Sequence, residues 1–121
     1  MEKFRFLKWQ VYKDAKELFG LILKIVEGLP NNLKFSIGEQ LIKAAFSIIL
    51  NIAEGSGRKS DRELKRYFDI SLGSCYELLA CADTLHDQKF ITAENYGQVF
   101  GYIDKITNQL GGFKRSINFT T

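Results

Sequence analysis

The side chains that could carry out catalysis are few, and their spacing matches no catalytic or metal-binding arrangement. His86 is the single histidine of this 121-residue chain, so a nucleophile that needs a histidine base has one candidate. It follows Asp83 by three positions, near the end of a predicted helix, where a capping or partly buried role is commoner than catalysis. A di-iron bundle needs two Glu-x-x-His motifs and two further glutamates, and the sequence lacks that set.

The two cysteines and the glycine-rich turn offer no better chemistry. Cys75 and Cys81 are six positions apart on one predicted helix, a spacing that disfavours an intrachain disulfide and does not fit a zinc knuckle. The Gly-Ser-Gly at 55–57 follows a helix rather than a strand and lacks the lysine-Ser/Thr pattern of a phosphate-binding loop. The sequence therefore predicts a non-enzymatic protein with no cofactor, no metal and no small-molecule substrate.

Nucleic-acid binding is the chemistry that the charged residues favour. The net charge of +3 is a mild basic excess, but its residues are clustered. One cluster is the predicted nucleic-acid-binding set: Arg58, Lys59, Arg62, Lys65 and Arg66. A looser set lies near the N-terminus: Lys3, Arg5, Lys8, Lys13 and Lys16. Acidic residues interleave with the first cluster, so a solvated, salt-bridged face explains it equally well.

Four helices are predicted from apolar residues that recur at steps of three and four. Pro30 ends the first helix, and the Ser-x-x-Glu patterns at 36–39 and 60–63 are capping boxes that begin the second and third. The predicted ranges are 6–28, 36–56, 60–88 and 92–117. Because short connections make consecutive helices antiparallel, we expect an all-α, up-down-up-down four-helix bundle that forms one domain over residues 1–121.

The second predicted helix carries more apolar surface than one contact can bury. Beside its main stripe runs a second one: Ile42, Phe46, Ile49 and Ala53. Either a neighbouring helix of the same chain or another subunit covers this second stripe. The most apolar run, 44–53, is too short to span a membrane, and the N-terminus has no signal-peptide core. We therefore expect a cytoplasmic protein without a membrane partner.

Polar residues follow one edge of the same helix and meet others on the third helix. We call this set the polar ladder: Gln40, Lys43, Ser47, Asn51, Glu54, Ser74 and Glu77. A hairpin that turns near Arg58 places these pairs level: Gln40 with Glu77, Lys43 with Ser74, Ser47 with Ile70, and Asn51 with Arg66. We hypothesise that the ladder fixes the register of the helices and the geometry of subunits; the alternative is a functional pocket.

The ladder lies in the stretch QLIKAAFSIILNIAEGSGRKSDRELKRYFDISLGSCYELLACAD, from Gln40 to Asp83. This stretch closely resembles the four-helix bundle family of 23S rRNA-intervening-sequence proteins. The matching positions are Gln40, Lys43, Ala44, Ala45, Ser47, Ile48, Asn51 to Gly55, Arg58, Phe68, Gly73, Ser74 and Glu77. The start at Leu7 to Ala15 and the Leu29–Pro30 turn also fit. Departures are small: Lys43 stands where arginine is common, and Ser71 where alanine is common.

This resemblance implies a bundle that assembles as a ring-like homopentamer. The family includes proteins encoded within insertions in ribosomal RNA genes, and a similar bundle serves diversity-generating retroelements, where it binds a reverse transcriptase and nucleic acid. The molecular role of most members is unknown. The resemblance and the charges together predict an oligomeric interaction module that binds RNA or an RNA-handling protein. The alternative is a structural or regulatory scaffold with a protein partner and no nucleic acid.

Overall fold

The computed structural model describes residues 3–117, for Ile117 the backbone only. Within this range there are helices and no strand, and four of the helices are long, which is consistent with a four-helix bundle. The α-helices in chain order are α1 (Gln10–Glu27), the single turn α2 (Asn31–Lys34), α3 (Ile37–Ser56), α4 (Asp61–Asp87) and α5 (Ala93–Ile117). The last three begin or end within one residue of the predicted ranges.

The predicted start of the first helix, at residue 6, is wrong. Residues Arg5–Lys8 form a 3-10 turn, and Trp9 is extended, with φ −72° and ψ 133°, before α1 begins. The ring of Trp9 packs against those of Phe68 and Phe113, at centroid distances of 6.1 and 4.9 Å. The break in the helix at Trp9 lets residues 3–8 turn back across the end of the bundle, which a straight helix would not allow.

The two serine caps behave differently. Ser60 caps α4 as predicted, since its Oγ accepts a hydrogen bond from the Glu63 backbone N–H at 3.2 Å. Ser36 does not form the predicted capping box: its Oγ donates instead to the carbonyl of Asn32 at 2.9 Å. The reason is α2, an unpredicted helical turn that ends just before Ser36 and presents its own carbonyls to the hydroxyl.

The apolar stripes of the long helices meet in one core. Its largest fully buried apolar side chains include Leu18, Ile22, Leu41, Ile48, Ile52, Phe68, Leu78, Ile106 and Leu110. Each long helix contributes, so every helix buries the face that its three-and-four spacing defines. Burial of this apolar surface supplies the main driving force for folding.

Side-chain contacts fix how neighbouring helices run past each other. Between α3 and α4 the pairs are Gln40 with Glu77, and Ser47 with Ser74. Between α1 and α5 the pair is Asp14 with Gln109, and α1 meets α3 through Phe19 and Phe46. Between α4 and α5 the pairs are Phe68 with Phe113, and His86 with Tyr96. In α3–α4 and in α4–α5, residue numbers rise along one helix as they fall along the other.

The helices α3 and α4 are in close contact at Gly55. A Cβ atom on this buried glycine would lie 2.9 Å from the Cβ of Tyr67 and 3.2 Å from Cδ1 of Leu64. Any larger residue would push the two helices apart next to their connecting turn. The Gly-Ser-Gly segment thus supplies both the turn and the contact that closes the hairpin.

The segment Asn31–Ser56 is long and apolar enough, by length and composition, to cross a membrane. The expectation that the chain contains no such run was therefore wrong. The 18-residue windows 35–52 and 36–53 each contain two charged residues, Glu39 and Lys43. The finding is weak evidence, because the core helix of a soluble protein passes the same test.

Candidate functional site

One end of the bundle carries most of the positive charge. Three segments meet there, 3–14, 54–69 and 109–116; we call this region the basic end. The segments hold eleven Lys and Arg and five Asp and Glu residues, a net charge of +6. The rest of the described chain holds six basic and eight acidic residues, a net charge of −2. A modest overall charge therefore conceals a strong separation of charge along the bundle.

Aromatic packing holds the three segments together. Trp9 comes from the first segment, Phe68 from α4 and Phe113 from α5, and their rings are in mutual contact. Phe68 is fully buried. A salt bridge between Lys114 and Asp69 joins α5 to α4 at the same level. The three segments of the basic end thus share one apolar base.

The two basic clusters of the sequence meet in a cavity of about 480 Å³ at this end. Its charged and polar lining includes Lys3, Arg5, Ser56, Arg58, Lys59, Ser60 and Asp61. The N-terminal segment reaches it because Arg5 Nε donates a hydrogen bond to the Ser56 carbonyl at 3.2 Å. The two clusters are far apart in the sequence. Nothing in the sequence shows that the turn before α1 folds back onto the end of α3.

Arg58 is held in place by three interactions. One of its terminal nitrogens donates to Glu54 Oε2 and to the Tyr67 hydroxyl, both at 2.7 Å, and its guanidinium lies 4.6 Å from the Tyr67 ring centroid. Its Nε is buried and, within the described chain, has no hydrogen-bond partner. Arg58 therefore braces the α3–α4 turn, while its Nε–H stays buried and unsatisfied.

The remaining residues of the predicted nucleic-acid-binding set lie further along α4. Arg62 and Arg66 are exposed and Lys65 is half-buried. None of the three lines the cavity. The structure thus divides the predicted set into Arg58 and Lys59, which join the N-terminal cations, and an outer group on the surface of α4.

Part of the polar ladder forms two separate groups of hydrogen bonds between α3 and α4. Gln40 Nε2 donates to Glu77 Oε2 at 2.6 Å, and Ser74 Oγ donates to Ser47 Oγ at 2.9 Å. Asn51 Nδ2 donates to the backbone carbonyl and to the hydroxyl of Ser47, at 2.9 and 3.1 Å. These contacts place the ladder between two helices of one chain.

The predicted pairing of Ser74 with Lys43 was wrong. Ser74 meets Ser47 instead, one helical turn further along α3. Gln40 does face Glu77 as predicted, so the difference is confined to the middle of the hairpin. Asn51 donates within its own helix. Glu54 pairs with Arg58, one of its predicted partners.

The second apolar stripe of α3 is partly covered within the chain. Ile49 is buried, Ile42 and Ala53 are half-buried, and Phe46 remains 46% exposed. Phe46 packs on Phe19 of α1, with ring centroids 5.4 Å apart. The helix α1 of the same chain therefore covers one part of the stripe. The exposed part of Phe46 is left for another subunit to cover.

Asp14 is the buried charged residue that sequence reasoning missed. Its side chain is 1% exposed; Oδ1 accepts from Gln10 Nε2 at 2.9 Å and Oδ2 from Gln109 Nε2 at 2.8 Å. The Nζ of Lys105 lies 3.9 Å from Oδ1. A signal was available: Asp14 stands within the apolar stripe of α1, one turn after Gln10. The site joins α1 to α5.

The residues first considered for catalysis do not form a site. Burial raises the pKa of the Cys75 thiol to about 12, and burial followed by the charge of Glu77 raises the pKa of Cys81. His86 stacks on Tyr96 at 4.9 Å. Among residues 3–116, no group of three or more His, Cys, Asp or Glu side chains is placed to hold a metal ion.

Comparison with known proteins confirms the resemblance. The profile of the family described as 23S rRNA-intervening sequence protein matches residues 8–112. A search of curated proteins gives no match. A solved structure of a protein with unknown function from the S23 ribosomal protein family of Bacteroides thetaiotaomicron VPI-5482 is similar, with a TM-score of 0.80 and 23% identity, over 86% of this chain and 97% of that one.

At that identity the solved structure shows a shared fold, and its own function is unknown. The family profile goes further, because it covers most of the chain. Neither comparison gives positive evidence of catalysis. On the strength of the profile, this chain belongs to the family of 23S rRNA-intervening sequence proteins.

Proposed function

We propose that this protein is a non-enzymatic, cytoplasmic, oligomeric module that binds RNA through the basic end of its bundle. The observation that carries the proposal is the separation of charge, with a net +6 at one end and −2 over the rest of the described chain. Such a surface attracts the phosphate backbone, whereas the acidic remainder repels it. The charge thus selects the orientation in which a strand approaches.

Binding of this kind follows the backbone rather than the base sequence. Lysine and arginine side chains that neutralise phosphates release counterions, so affinity falls steeply with salt. We therefore expect affinity for generic RNA at low salt and little preference for sequence. The basic end includes the outer residues Arg62 and Arg66 as well as the cavity.

We further propose an antiparallel up-down-up-down bundle that assembles as a homopentamer. The opposite direction of residue numbers in the contacts of α3–α4 and α4–α5 supports the antiparallel order. Phe46, Leu50 and Ile70 are each 43–49% exposed, and such apolar surface supports association. A ring would repeat the basic end five times, and this multivalency would raise the affinity for one strand.

Charge reversal tests the RNA proposal. The variant Arg58→Glu/Lys59→Glu/Arg62→Glu is expected to lose RNA binding at low salt, measured by fluorescence anisotropy. A matched control, Lys24→Glu/Lys34→Glu/Lys89→Glu, makes the same change in net charge outside the basic end and is expected to retain most of the affinity. Circular dichroism checks that both variants stay helical. Equal losses in the two variants would reject the basic end as the binding surface.

The second candidate function is a scaffold for a protein partner. It is favoured by Tyr76 and Phe100, which are 74% and 49% exposed and line a groove between α4 and α5. Aromatic residues of this kind are enriched in protein interfaces. Absence of any salt-sensitive RNA binding by the wild-type chain would favour this candidate over the first.

A further inference from the structure

The cavity at the basic end differs from an ordinary patch of surface charge. Four cationic side chains line it, Lys3 and Arg5 from the N-terminal segment and Arg58 and Lys59 from the α3–α4 turn. Asp61 is the acidic residue in its lining. Cations from two distant parts of the sequence therefore converge on one concave space of about 480 Å³.

Both arginines in the lining are fixed before any ligand arrives. Arg5 donates to the Ser56 carbonyl, and its guanidinium lies 5.2 Å from the centroid of the Trp9 ring. Arg58 is held by Glu54 and by the hydroxyl and ring of Tyr67. A side chain that is already ordered loses little conformational entropy when it binds, so these guanidinium groups are preorganised.

The hydrogen bonding of the cavity is incomplete. Arg58 Nε is the buried side-chain nitrogen or oxygen that, within residues 3–116, lacks a hydrogen-bond partner. A buried donor without an acceptor is costly, and a guanidinium is best satisfied by an oxyanion. The cavity thus combines excess positive charge and fixed guanidinium groups, one of which carries a buried donor without an acceptor.

We propose that this cavity is a binding site for a single phosphate group of a nucleic-acid strand. The proposal rests on the RNA-binding function proposed above and adds a discrete site to it. A phosphate carries several acceptor oxygens and fits a lining of guanidinium and ammonium groups. The phosphate is either the terminal monoester of a strand or an internal diester, and the two differ in charge and accessibility.

Titration with inorganic phosphate, followed by NMR, tests the site directly. We expect the side-chain Nε–H signal of Arg58 and the backbone amide signals of Lys59 and Ser60 to shift and to saturate. Unchanged signals at high phosphate would overturn the proposal.

Two RNA oligomers of the same sequence, one with a 5′-monophosphate and one with a 5′-hydroxyl, identify the source of the phosphate. Preference for the phosphorylated oligomer assigns the terminal monoester, and equal affinity with shifts at Arg58 assigns an internal diester. In both cases Lys59→Ala and Arg58→Lys are expected to weaken binding by about tenfold, since each removes a charge-assisted contact. Arg58→Lys keeps the charge and removes the Nε–H donor.

Arg66→Ala is the matched control for Lys59→Ala, because it removes one exposed positive charge from the basic end but outside the cavity. Its effect should be about twofold to threefold, as expected for a distant screened charge. If Lys59→Ala loses no more affinity than Arg66→Ala, the discrete site is wrong while RNA binding stands. If the wild-type chain binds no RNA at low salt, the proposed function itself fails.

Discussion

At the residue scale, the glycines of the helices fall into two kinds. Gly55 is buried at the contact of α3 and α4, where an added Cβ would meet Tyr67 and Leu64. Gly20 and Gly73 lie inside helices with nothing within 4 Å of the position that a Cβ would occupy. The sequence alone does not distinguish the two kinds, because the difference depends on which helix lies opposite.

The substitution Gly55→Ala is expected to destabilise the chain by about 1–3 kcal/mol, because it overpacks a tight contact. Gly20→Ala is the control; it should stabilise the chain by about 0.5–1 kcal/mol, since alanine favours a helix over glycine. Urea unfolding followed by circular dichroism measures both. Similar free energies of unfolding for the two variants would contradict the proposed close approach.

The buried thiol of Cys75 makes a prediction about pH. Its pKa is raised to about 12 in the folded chain, from a value of 9.0 for an unperturbed thiol. Above pH 9 the unfolded chain releases this proton more readily than the folded chain does, so the free energy of unfolding must fall as pH rises towards 12. Below pH 9 the same group contributes no slope.

Unfolding by urea between pH 7 and pH 10.5 tests this linkage. Because other groups also titrate above pH 9, the informative quantity is the difference between the wild-type chain and Cys75→Ala. The wild-type chain should lose stability more steeply with pH than this variant. Parallel pH profiles would show that Cys75 ionises as easily in the folded chain as in the unfolded chain.

At the element scale, α1 is joined to α5 by a polar contact within an otherwise apolar seam. Asp14 accepts hydrogen bonds from Gln10 of its own helix and from Gln109 of α5. The Asp14 side chain is 1% exposed, so water molecules cannot easily take the place of the two amide donors. This contact orients α5 against α1.

We expect Asp14→Ala to cost about 3 kcal/mol, because it removes two hydrogen bonds to a charged group and opens a small cavity. Gln109→Leu removes one donor and should cost less, since Gln10 still satisfies the carboxylate. Thermal and urea unfolding provide the two values. If Asp14→Ala loses less stability than Gln109→Leu, the carboxylate is not the centre of this contact.

The sequence predicts the long helices because the buried face of a helix requires apolar residues at every third or fourth position. Leu18, Ile48 and Leu110 follow that rule. It does not predict the break at Trp9, which results from tertiary packing against Phe68 and Phe113. For the candidate site, composition identifies Arg58 and Lys59 as cations. Their meeting with Lys3 and Arg5 depends on that same break.

At the scale of the whole molecule, part of the surface beside the polar ladder is apolar and open. Phe46, Leu50 and Ile70 are partly exposed, and Gly73 leaves room beside Ser74. If another subunit packs closely there, Gly73 serves the assembly rather than the single chain. The hypothesis that the ladder sets subunit geometry then has a specific test.

Gly73→Ala should stabilise a single chain by about 0.5–1 kcal/mol through helix propensity, yet weaken the oligomer by steric overlap at the interface. Light scattering after size exclusion measures the mass in solution, for which a pentamer is the expected wild-type state. Glu77→Leu is expected to change or broaden that mass, because it breaks the bond from Gln40. Unaltered oligomers in both variants would reject an interface at this face.

The packing of Trp9 has an optical consequence. Trp9 is the single tryptophan of the chain, and the guanidinium that lies 5.2 Å from its ring belongs to Arg5, a residue of the cavity lining. A charge that enters the cavity alters the electric field at the indole and hence its emission. The protein therefore contains a built-in fluorescent reporter: emission that shifts with added oligonucleotide would give binding curves without a label.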